Sequence, residues 1–75
     1  MGQVRDEAYL QRFGFHVRKL RAAKQLSQYQ LADLADVSRS QIMGIENGSI
    51  NPTLCTLKAV SEGLSIPFSE LVDAG

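Results

Sequence analysis

The sequence predicts an all-α fold of five short helices, and three observations carry that reading. Serine followed three residues later by glutamine occurs twice, at Ser27/Gln30 and Ser38/Gln41. In each case the hydroxyl can accept from the N3 amide while the glutamine reaches back to the cap amide. Apolar residues recur at steps of three and four, as in Leu10, Phe13, Val17 and Leu20. Gly48, Pro52 and Pro67 punctuate the chain where such stretches stop or restart.

The first helix is expected over about Glu7 to Lys24, with Asp6 as its cap and Glu7 at the positive end of the helix dipole. Gln25 and Leu26 form the exit, and Leu26 is placed to pack on Leu31 as a hydrophobic staple. The second helix spans about Gln28 to Ala35 with Leu31, Ala32 and Ala35 inward; Ala32 is small enough to let crossing helices approach. Asp36 and Val37 make a corner, where Asp tolerates a left-handed conformation at some cost. The third helix runs from about Arg39 to Glu46, buries Ile42 and Ile45, and ends at Asn47 with Gly48 as left-handed terminator. Thr53 caps the fourth, whose inner face reads Leu54, Leu57, Val60, Ser61 and Leu64. Pro67 starts a short fifth helix with Phe68, Leu71 and Val72 inward.

Composition bounds the function. Seventy-five residues make one domain, taken as 1–75 with an ordered core of about 7–73. A chain this short buries roughly 60% of its unfolded surface, so its stability is marginal. It is 44% hydrophobic and 21% charged, with no apolar run of membrane-spanning length and no signal-like N-terminus. Gly2 is followed by residues that do not fit a myristoylation site. The expectation is a soluble, cytoplasmic protein. Cys55 is alone, which excludes an internal disulfide and a cysteine metal site. Net charge is zero, yet Arg12, Arg18, Lys19, Arg21 and Lys24 cluster with no acid among them, while Glu46, Glu62, Glu70 and Asp73 face only Lys58. Such a dipolar chain can turn a basic side to nucleic acid.

Two capping boxes eleven residues apart leave room for a helix, a turn and a second helix, the layout of a helix-turn-helix. The segments FGFHVRKLRAAKQLSQYQLADLADVSRSQIMGIENG and NPTLCTLKAVSEGLSIPFSELV resemble the Xre/Cro-type helix-turn-helix proteins, the fold of the lambda and 434 phage repressor DNA-binding domains. The resemblance rests on the Leu-Ala pair, the corner, the Ile-x-x-Ile spacing, Glu-Asn-Gly and the Asn-Pro-Thr-Leu opening of the fourth helix. Gln25 and Asp36 depart from it, standing where Gly often occurs.

What the resemblance implies is a compact lambda-repressor-like domain whose second and third helices form the motif. The recognition helix, about 38–46, lies in the major groove of double-stranded DNA. Ser38, Arg39, Ser40 and Gly44 then meet base edges, with Arg39 able to bond O6 and N7 of guanine together. Gly44 stands where the family often has a reading side chain, which means either close backbone approach to DNA or packing. Met43 either touches a thymine methyl or fills a groove against the second helix. Gln28, Asn47, Ser49, Asn51, Arg18 and Tyr29 are the expected phosphate contacts. Arg21 and Glu46 match an ion pair joining the first helix to the end of the third. Ile66, Phe68, Leu71 and Val72 close the core and contribute to a homodimer interface.

His16 lacks a second His or Cys nearby, so it reads as an exposed polar residue, not a metal ligand. Nothing orients Cys55 and His16 as nucleophile and base, so no enzyme is expected. No cofactor, metal or small-molecule effector is called for. The leading expectation is a transcriptional regulator on a short palindromic operator. The alternatives are the antitoxin of a toxin–antitoxin pair, although only Asp73–Gly75 follow the fifth helix, and a fragment of a larger regulator.

Overall fold

Each of the first four helices starts at a residue whose side-chain oxygen accepts a backbone N–H three residues on. The computed structural model describes residues 4–73, so Gly2 with its myristoylation reading and the terminal Ala74 and Gly75 lie outside the described residues. The helices are α1 (Glu7–Ala23), α2 (Gln28–Ala35), α3 (Arg39–Glu46), α4 (Leu54–Gly63) and α5 (Phe68–Val72). Asp6, Ser27, Ser38 and Thr53 are the caps. Only Ser27 completes the reciprocal box, with its N–H donating to the Gln30 side chain at 2.8 Å. The box at Ser38 is half-formed: Ser38 Oγ accepts from Gln41, while the exposed Gln41 side chain does not reach back. Water can serve the cap amide there, so little is lost.

All four longer helices stop in the same way. Gln25 (φ 59°), Asp36 (φ 57°), Gly48 (φ 74°) and Ser65 (φ 57°) are left-handed. The amide after each returns to the helix: Leu26 to the Arg21 carbonyl, Val37 to Ala32, Ser49 to Gly44 and Ile66 to Ser61. This is the Schellman arrangement, which satisfies carbonyls that would otherwise be orphaned. After three of these corners the next residue, Leu26, Val37 or Ile66, folds back onto the core.

One cluster unites the helices: Phe13 and Val17 from α1, Leu31 and Ala32 from α2, Ile42 and Ile45 from α3, Val60 and its neighbour Leu64, and Leu71 from α5. Three expectations need correction. Leu54 is 71% exposed, because it sits at the first position of α4, a turn ahead of Leu57, where burial begins. Leu71 is fully buried in this chain's own core and so cannot also present itself to a partner. His16 is half-buried, with Nε2 2.9 Å from the Glu70 carbonyl, tying α1 to α5.

Gly14 governs how α1 meets α3. A Cβ added there would lie 2.5 Å from the Glu46 carbonyl oxygen and in contact with that of Ile45. Only the absence of a side chain lets the two backbones approach so closely. Gly14 and Arg21 are seven residues apart, hence on one face of α1, and this crossing brings Arg21 to Glu46.

Candidate nucleic-acid interface

The short helix α3 turns Ile42, Gly44 and Ile45 inward and leaves Ser38, Arg39, Ser40, Gln41 and Met43 exposed. Ser38 Oγ holds the helix start and lies 3.3 Å from Ser40 Oγ. Arg39 follows directly, its guanidinium carbon 5.5 Å from the centre of the Tyr29 ring on the first turn of α2. An open hollow of about 560 Å³ runs beside it, lined by Arg18, Arg21, Gln28, Tyr29, Arg39 and Met43. A smaller adjoining one of about 140 Å³ is lined by Arg18, Gln28, Met43, Glu46 and Asn47. Cations from α1 and α3 and the free amide end of α2 thus share one face. Its chemistry suits an extended polyanion better than a small substrate.

Behind that face three helices are laced together by charge-assisted hydrogen bonds. Arg21 Nε donates to Glu46 Oε2 at 2.6 Å and Nη2 to Oε1 at 2.9 Å, a bidentate pair. Arg21 Nη1 donates to the Leu26 carbonyl at 2.8 Å, and Gln28 Nε2 donates to Glu46 Oε1 at 3.1 Å. The Arg21 and Glu46 side chains are 15% and 3% exposed. The hydrogen bonds that Arg21 donates to Glu46 raise its guanidinium above the ordinary value, against the opposing pull of burial and with help from the Glu46 charge. Arg21 is therefore a fixed cation. Gln28 keeps one N–H and its carbonyl oxygen for another partner.

The other expected site residues divide. Asn47 lies in the Gln28 hollow, with its Oδ1 accepting from the Ser49 N–H at 3.1 Å. Ser49 is exposed, but its hydroxyl donates inward to the Gly44 carbonyl at 3.4 Å. Asn51 is exposed and borders a second, largely apolar hollow with Tyr9, Leu10, Phe13, Leu57 and Val72. Gly44 is corrected. It is buried, and a Cβ there would lie 3.0 Å from Ile50 Cγ2, so packing on Ile50, not a base edge, explains the glycine. Sequence reading missed Arg5, whose Nη2 donates to the Ser49 carbonyl at 3.0 Å across 44 residues while Nε pairs with Glu7. No local pattern marks such a contact.

No group of three or more metal-ligating side chains gathers among the described residues. None of the described helices is long and apolar enough to cross a membrane.

A capped helix, a left-handed corner and a second helix with one exposed edge define a helix-turn-helix protein. Residues 17–71 match the HTH_3 helix-turn-helix family, and the chain belongs to it. It is 41% identical over 59 residues to the immunity repressor protein of Bacillus phage phi105, covering 79% of this chain and 41% of that relative, less than half its length. The crystal structure of the restriction-modification controller protein C.AhdI from Aeromonas hydrophila is similar at 41% identity and TM-score 0.83, covering 85% of this chain and 97% of that one. The controller protein C.Esp1396I, solved as a tetramer with its natural 35-base-pair operator, is similar at 30% identity and TM-score 0.79, covering 89% of this chain and 92% of that one.

Proposed function

We propose that the chain is a sequence-specific transcription regulator that binds a short palindromic DNA operator as a homodimer, with the helix at 38–46 in the major groove. The observation that carries this reading is the exposed Ser38–Arg39–Ser40 edge standing beside the basic hollow of Arg18 and Gln28. Arg39 reads guanine through its paired N–H groups, an interaction worth roughly 1–3 kcal/mol of discrimination. Ser38 and Ser40 add contacts of low selectivity. Arg18, Gln28, Asn47, Ser49 and Asn51 position the phosphates. Half-buried Ile66, Phe68 and Val72 supply the two-fold contact.

Unbiased site selection on the purified protein, followed by sizing alone and with the selected duplex, tests the reading. The expected result is a two-fold symmetric site with a guanine in each arm, bound by two chains, and Arg39→Ala removes the guanine preference. No enrichment over random DNA overturns it in favour of a protein-binding, antitoxin-like role.

Phosphate contact here relies mainly on neutral groups, so few counterions are released on binding. The expected slope of log affinity against log salt corresponds to on the order of two to four phosphates per subunit. A titration from low to high salt checks this, and a slope typical of a strongly basic repressor refutes it.

A further inference from the structure

We infer that Tyr29 is a positioning residue for Arg39: its ring face holds the guanidinium flat, leaving the N–H edge free to read DNA. This replaces the expectation that Tyr29 contacts phosphate, and it rests on the reading of Arg39 as the base-contacting residue.

Three observations converge. The Arg39 guanidinium carbon lies 5.5 Å from the Tyr29 ring centre, within cation–π range. Both side chains line one hollow of about 270 Å³ with Ala32, Asp33 and Val37, so the contact bridges α2 and the start of α3. Arg39 takes part in none of the ion pairs among the described residues, although Asp33 borders the same hollow. The distinction matters chemically. A carboxylate partner would occupy the N–H fork that guanine needs, whereas a ring engages only the π face and leaves all five donors available. Arg39 is the first residue of α3 and exposed, and a long side chain in that setting otherwise samples many rotamers. The backbone that carries the ring is fixed, because the complete capping box at Ser27 sets the first turn of α2. Tyr29 is 66% exposed, so the stack is not enforced by burial and belongs to the pair itself.

The test combines two measurements on wild type, Tyr29→Phe, Tyr29→Ala and Arg39→Ala. In the free protein, the Arg39 Nε–H resonance carries a ring-current shift that Tyr29→Phe keeps and Tyr29→Ala abolishes. Affinity is then measured for the selected duplex and for a random duplex of equal length. Tyr29→Phe matches wild type on both. Tyr29→Ala loses about two- to fivefold on the selected duplex and nothing on the random one, so the specificity ratio falls. Equal weakening of both duplexes by Tyr29→Phe overturns the inference and assigns the phenol to phosphate. An unchanged ratio in Tyr29→Ala, with a ratio that collapses in Arg39→Ala, overturns the inference alone. A ratio that survives Arg39→Ala overturns the reading of Arg39 on which it stands.

Discussion

Replacing Arg21 with methionine lowers the stability of the fold by about 3–5 kcal/mol, because it leaves the Glu46 carboxylate 3% exposed with Gln28 as its remaining side-chain partner. Glu46→Gln costs less, since the Arg21 guanidinium keeps the Leu26 carbonyl and more water. The double variant loses far less than the sum, because removing both charges together leaves no buried charge unpaired. Urea denaturation of the four proteins measures the coupling, and additivity within about 0.5 kcal/mol would falsify it. The Arg21 contribution follows the sign of its shift. A cation raised in the folded state stabilises fully below its unfolded value and loses that only as pH climbs through the folded one, so the contribution is flat across neutral pH.

Gly14→Ala is the second large effect. In an open helix this change gains about 1 kcal/mol of propensity. Here the added methyl meets the Ile45 and Glu46 carbonyl oxygens, which are backbone and cannot rotate aside. Overpacking of this kind costs about 1–3 kcal/mol, and the helices must part, drawing Arg21 away from Glu46 as well. Both penalties act together, so the net loss is about 2–3 kcal/mol, a fall in Tm on the order of 10 °C for a chain of this size. Calorimetry decides the sign: an unchanged or higher Tm shows that the crossing yields without cost.

These two predictions differ in how far the sequence announced them. The Arg21–Glu46 pair was legible through the resemblance, which supplied the partner that no local spacing reveals. Gly14 was silent, because its reason lies 31 and 32 residues away in the carbonyls of Ile45 and Glu46. Helix starts were legible because caps are local chemistry: Asp6, Ser27, Ser38 and Thr53 each act within three residues. The period of three and four marks the stripe of α4 but not its edge: Leu54 continues the stripe, yet the first turn overhangs the core. Gly44 allowed two readings, and Ile50, beyond the helix end, decides between them. Ser65 carries a signal of the same kind. A polar residue followed by an apolar one, as in Gln25-Leu26 and Asp36-Val37, recurs at Ser65-Ile66 and marks the same left-handed exit.

Those exits also locate where the fold holds its strain. A left-handed residue with a Cβ costs about 1–2 kcal/mol, and three of the four Schellman corners carry one. In a chain with so small a core, that is comparable to a large part of its net stability. None of the three, Gln25, Asp36 or Ser65, belongs to the buried cluster or to the exposed edge of α3. Robustness and recognition are thus separable properties here. The corners can be hardened one at a time, by glycine or asparagine, while the surface proposed to face DNA stays as it is.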